Sequence, residues 1–130
     1  METLNILPIK EAGHLNFLPK DSDFSNNISV LFVSGHTESQ MIPHINYKNK
    51  KIVFMADLLP SISHIPLPYI MSYDTQPLLT LKEKEHFLIE AAKNDYVLFL
   101  QHDNLHECCT VKLTERGVKL DKTFKLKDII

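Results

Sequence analysis

No stretch of this chain approaches the ~20 consecutive apolar residues that a helix needs to cross a bilayer, so the sequence offers no membrane span. The opening, Met1 to Leu7, carries Glu2 and lacks a basic start followed by a long apolar core, and does not read as an export signal. Excess charge is missing too: 14 Lys and Arg against 16 Asp and Glu leave a net charge of −2. That balance gives no electrostatic case for nucleic acid or an anionic membrane as partner. Lys48, Lys50 and Lys51 cluster, but Asn49 interrupts them at what reads as a solvated hairpin turn. Cysteine is scarce. Cys108 and Cys109 are adjacent in a strand-like run, so their side chains point to opposite faces and suit no shared disulfide. Two buried structural thiols fit a reduced, cytoplasmic setting. Internal repeats and low-complexity tracts are absent.

What is present is ordinary globular material: 130 residues, 44% apolar and 23% charged. This length predicts one domain, residues 1–130, burying roughly two-thirds of its unfolded surface. Residues 1–27 are the least regular, with short strands expected at Leu4 to Ile9 and His14 to Leu18 and a polar turn at Asp21 to Asn27. From Ile28 the pattern sharpens. Strands are expected at Ile28 to Val33, Met41 to Tyr47 and Lys51 to Met55, each rich in branched or aromatic residues. The nearly unbroken apolar run Ile52 to Met55 predicts a strand covered on both faces. A proline-rich connection follows over residues 58–79, long enough to carry function. Thr80-Leu81-Lys82-Glu83 reads as a capping box opening a helix to about Asn94, with Leu81, Phe87, Leu88, Ala91 and Ala92 as its apolar stripe. Tyr96 to Gln101 is the next strand, and Cys108 to Thr114 with Val118 to Leu126 form a hairpin turned at Glu115-Arg116-Gly117. The class is α/β with a mixed or mainly antiparallel sheet and one long helix.

Three of these strands end on a possible metal ligand. Ile28 to Val33 runs into Gly35-His36-Thr37-Glu38, Ile52 to Met55 into Asp57, and Tyr96 to Leu100 into His102. Imidazole and carboxylate delivered at strand ends suit zinc or iron at the rim of a sheet. Taken singly, each has a plainer reading. His36 could be a loop residue, Asp57 a cap for the Leu58-Leu59-Pro60 turn, and His102 a surface imidazole bonded to Asp103. His44, set among Ile42 and Ile45, reads as structural, and His14 and His86 have no partner signal. His64 shares its loop with Ser61 and Ser63 without a derivable geometry, and Glu107 beside His106 reads as a solvated turn.

In order and spacing, Gly35-His36-Thr37, Asp57 and His102 resemble the second half of the metallo-β-lactamase superfamily, the αββα hydrolases. The resemblance runs from about residue 28 to residue 103. It implies half of an αββα sandwich. It also implies that His36 completes the three-His set of a first metal, that Asp57 bridges two metals, and that His102 serves the second. Zinc, as one or two ions, is the implied cofactor, with iron or manganese as alternatives. The implied chemistry is attack of metal-bound hydroxide on an ester, lactone, amide or phosphoester. Loop 58–79, with His64, Tyr69, Tyr73 and Asp74, would shape the substrate cleft. Two departures stand out. Ser39 occupies a place where relatives usually have a second glycine. The superfamily's upstream His-x-His-x-Asp-His segment is nowhere in this chain; the nearest cluster, His102-Asp103-Asn104-Leu105-His106, has another pattern and lies at the other end. Without it no catalytic residue can be assigned. Two functions follow. One is a hydrolase completed by a missing amino-terminal half or a partner. The other is a non-catalytic half-fold acting as a dimeric structural or interaction module. A lone half of this fold would leave a sheet face to be covered, so the resemblance implies a homodimer or a missing amino-terminal half as partner.

Overall fold

A computed structural model describes residues 3–19 and 23–130. Its centre is one seven-stranded sheet in which every strand lies beside its neighbours in sequence. The strands are β1 (Asp23–Ser25), β2 (Ile28–Val33), β3 (Gln40–Tyr47), β4 (Lys50–Phe54), β5 (Val97–Phe99), β6 (Cys108–Thr114) and β7 (Gly117–Phe124). All pairs are antiparallel except β4 with β5, which run parallel. That exception requires a crossover, which is the long loop after β4 plus the helix α2 (Pro77–Lys93). The mixed sheet and single long helix are as the sequence predicts.

Helix α2 covers one face of the sheet. Phe87, Leu88 and Ala91 pack with Val33, Ile42, Val53, Met55, Leu98, Cys109 and Val111 in the main core. The opposite face carries Ile52, Val97 and Cys108 with Ile45, Tyr47 and Phe99, and Phe124, Leu126 and Ile129 from the chain's end pack against it. The two cysteines therefore do lie on opposite faces, both free and fully buried. Burial pushes the Cys108 thiol up to about 11 and the Cys109 thiol up to about 12, so both are inert packing groups. The expectation that Ile52 to Met55 is covered on both faces is only half met. On the second face an apolar cavity of about 270 Å³ stays open between Ile45, Tyr47, Ile52, Phe54, Phe99, Leu126 and Ile130. Phe54 and Phe99 stack across the parallel pair there, with centroids 5.8 Å apart.

Three local expectations are corrected. Leu4 to Ile9 lies in the helix α1 (Thr3–Glu11), not a strand. No neighbouring strand reaches this segment, and a helix satisfies its own backbone groups without one. His14 to Leu18 forms no regular element. Of the expected turn at residues 21–27, Asp23 to Ser25 pairs as β1 and Asn26-Asn27 turns, while residues 21 and 22 lie outside the described residues. Helix α2 also begins three residues before the expected cap. Pro77 takes its first turn, where its missing N–H is no loss. Thr80 is thus inside the helix and buried, and Glu83 is free for another task. The stripe is met by Phe87, Leu88 and Ala91, with Leu81 and Ala92 half-buried at its border.

Candidate metal centre

Strands β2 and β4 both pair antiparallel with β3, and β4 runs parallel to β5, so β2, β4 and β5 all end at the same rim. His36, Asp57 and His102 follow those three ends. The chain bends sharply to deliver them. After β2, the amides of Ser34 and Gly35 donate to the two carboxylate oxygens of Glu83, at 2.8 and 3.0 Å. This clamps the turn to α2 and explains what Glu83 does instead of capping. Gly35 O in turn accepts from Gln76 N at 2.8 Å. A Cβ on Gly35 would fall within 2.5 Å of the Thr80 backbone, so this glycine is required for space. Ser39 closes the turn with φ +57, the left-handed geometry a glycine would take freely, and its N–H donates to Ser34 Oγ. The loop therefore keeps its shape with serine there. After β4, Ala56 is likewise left-handed, at φ +43, which swings Asp57 off the strand line.

The three residues converge on the Asp57 carboxylate. Its Oδ2 lies 3.5 Å from His36 Nε2 and its Oδ1 lies 3.1 Å from His102 Nε2, so each oxygen faces one imidazole. Gln40 Nε2 donates to Oδ2 at 3.2 Å. His36 Nδ1 sits 2.8 Å from Asp74 Oδ1. A carboxylate can only accept, so Nδ1 carries a proton there; in the neutral ring Nε2 then turns its lone pair toward Asp57, a place where a cation between the two would satisfy both. Ligands bonded to zinc at about 2.0–2.1 Å with tetrahedral angles lie roughly 3.3 Å apart. The spacings of 3.1 and 3.5 Å bracket that edge length. The donor set fits a metal, but incompletely: each position receives one nitrogen and one oxygen from this chain, where about three protein ligands are needed. Among the described residues no group of three or more ligands converges on a single ion. Two buried side-chain oxygens there lack a protein partner, Gln40 Oε1 and Asp74 Oδ2, and both side chains border this site.

The structure gives Asp57 and His102 other partners than their plainer readings named. Asp57 turns to Gln40 and the two imidazoles rather than to the Leu58-Leu59-Pro60 turn. Asp103 is occupied elsewhere, accepting from the amides of Ile62, Leu105 and His106 and from the His106 ring. Its burial is outweighed by those bonds, which hold its carboxyl below the usual range. His44 is structural: burial lowers its basicity, and its Nδ1 bonds Ile42 O.

The loop after Asp57 forms one wall of an open cavity of about 490 Å³, lined by Pro60, Ser61, His64, Ile70 to Tyr73 and His102. His64 and Tyr73 line it. Tyr73 also meets His36 edge-on, with ring centroids 6.2 Å apart. Tyr69 is exposed beside it and does not line it. Asp74 is corrected outright. Its side chain is 1% exposed and sits behind His36, where it orients the ring instead of facing the cleft. Sequence reasoning also missed Gln40 and the Ser61 Oγ···His64 Nδ1 contact of 2.9 Å. A polar residue opening an otherwise apolar strand was the signal for Gln40.

No protein-family model and no curated protein matches the sequence. Solved structures do match in fold. A probable metal-dependent hydrolase from Staphylococcus aureus superposes with a TM-score of 0.76 at 22% identity, covering 92% of this chain and 42% of its own. A dizinc quorum-quenching lactonase gives 0.76 and 22%, over 93% of this chain and 42% of its own. A hydrolase of the β-lactamase superfamily gives 0.79 and 18%, over 95% and 43%. The chain spans about two-fifths of the length of these structures.

Proposed function

We propose, from a fold shared with part of the β-lactamase-superfamily hydrolases, that this chain supplies one half of a metal-dependent hydrolase site. His36, Asp57 and His102 are its contribution. The remaining ligands come from an amino-terminal half, on a longer protein or a partner. The observation that carries this reading is the Asp57 carboxylate, whose two oxygens face two different imidazoles at coordination-edge spacing. Zinc, iron or manganese at such positions would supply a hydroxide nucleophile and polarise the substrate carbonyl or phosphoryl oxygen. The chain's own residues do the rest: Asp74 fixes the His36 tautomer, Gln40 orients Asp57, and the wall from Ser61 to Tyr73 admits and positions the substrate. Substrates in the ester, lactone, amide or phosphoester classes fit this chemistry.

A second reading is favoured by the open apolar cavity on the face of the sheet opposite α2. A face of that kind needs a second layer, and a homodimer packed sheet to sheet would provide one whether or not metal binds. One experiment separates the readings. Metal content per chain is measured by mass spectrometry on tag-free protein, with Asp57→Ala as control and sedimentation run in parallel. Where a second copy brings the missing ligands, the hydrolase reading predicts about one metal ion or more per chain, lost in the variant. A folded, dimeric, metal-free protein would favour the half-fold module and leave a separate amino-terminal half as the remaining source of ligands.

A further inference from the structure

Among the described residues one buried lysine lies outside the ligand set. Lys84, on α2, is 1% exposed, yet its ammonium has a full complement of partners. Nζ donates to three main-chain carbonyls, His64 O at 2.9 Å, Pro66 O at 3.3 Å and Tyr69 O at 2.7 Å. All three belong to the loop that walls the cavity beside His102. That loop has little else of its own to hold it. Within it the backbone bonds are single turns, His64 N to Ser61 O, Ile65 N to Ile62 O, Tyr69 N to Pro66 O and Asp74 N to Met71 O. Pro66 and Pro68 contribute no N–H at all. Three carbonyls pointing inward from a loop would each carry a desolvation penalty without a donor, and one ammonium meets all three. Burial lowers the amine to about 8, and it remains charged with three N–H donors at neutral pH.

We propose that Lys84 is the positioning residue of the cavity wall, a clasp that gathers the His64, Pro66 and Tyr69 carbonyls and so sets His64 and Ser61 opposite His102. It deepens the hydrolase reading by naming what preorganises the substrate wall, and rests on that reading only for the word substrate. The Ser61–His64 pair is the part of the wall that can recognise a polar group, since Nδ1 is engaged by Ser61 and the ring borders the cavity.

The test compares wild type with Lys84→Met, which fills the same channel without donors. Hydrogen exchange by mass spectrometry follows the loop, and NMR follows the histidine rings. The Met variant should exchange the amides of His64, Ile65 and Tyr69 about tenfold faster or more. The His64 ring, whose basicity burial and the Lys84 charge both lower, should return toward ordinary values. His44 should not move; general loosening of the fold would shift both. A folded Met variant with unchanged loop exchange and an unchanged His64 titration overturns the proposal. Should the variant fail to fold, wild-type protein labelled with ¹⁵N-lysine decides. The Lys84 ammonium protons should exchange slowly, and exchange as fast as that of surface lysines overturns the clasp. None of these readouts needs metal or substrate, so failure here leaves the hydrolase reading standing, and a metal-free protein leaves the clasp standing.

Discussion

Replacing Gly35 by alanine should damage this protein more than any conservative surface change. The added Cβ would meet Thr80 Oγ1, N and Cα, with the Cα at 2.5 Å. Ordinary carbon contacts start near 3.4 Å, so the turn and α2 must separate by about 1 Å. Four hydrogen bonds cross that seam: Ser34 N and Gly35 N to Glu83, Gln76 N to Gly35 O, and Gln76 Nε2 to Ser34 O. They measure between 2.8 and 3.2 Å, and a withdrawal of about 1 Å takes them past useful length. Overpacking of this kind costs about 1–3 kcal/mol and each lost bond about 1 kcal/mol, with strong overlap between the two. The expected loss is about 3 kcal/mol, a large share of a typical domain's stability. Urea unfolding measures it directly, as a midpoint lowered by about 1–2 M with an unchanged slope. Adding Thr80→Ala should not rescue the variant, because the Thr80 backbone remains in the way. A loss under about 1 kcal/mol, or full rescue by Thr80→Ala, would refute the close-approach argument.

Two further outcomes follow from the same seam and the core. Ser39→Gly should raise stability by up to about 1 kcal/mol, the left-handed penalty of a side chain at φ +57 less the entropy that glycine adds to the unfolded chain, as read by thermal melting. Acid should weaken the fold through His44 and His64. Both are held below their ordinary basicity by burial, so below pH 6.5 the unfolded chain takes up protons that the folded one refuses. Stability should fall as pH drops from about 7 to 5.5, at up to about 1.4 kcal/mol per pH unit for each ring, and His44→Gln should flatten that slope in urea titrations.

Much of this arrangement was legible because the signals are local. Branched and aromatic runs mark β2, β3 and β4, and a His or Asp directly after each apolar strand marks the rim. Glu83 and Asp74 were misread for one reason: both act across the fold. Thr80-Leu81-Lys82-Glu83 has the pattern of a cap, but Pro77 already starts the helix, and the Glu83 carboxylate serves backbone amides 48 and 49 residues away. Asp74 sits in a polar loop sequence and reads as cleft-facing, yet tertiary packing turns it behind His36. Lys84 gave no sign at all. A lysine on a helix is usually solvated, and only the loop folding over it reveals three carbonyls in need of donors.

The lone parallel joint between β4 and β5 also bears on folding order. Strands β1 to β4 form one antiparallel meander and β5 to β7 another, so both units close over short loops. The β4–β5 register must wait for the entire crossover, the costliest closure in the chain. His36 and Asp57 follow strands of the first unit and His102 follows β5 of the second, so the candidate site straddles the seam that zips last. Nascent or partly unfolded chains therefore hold the two halves of the site apart, and ligand convergence reports completed folding.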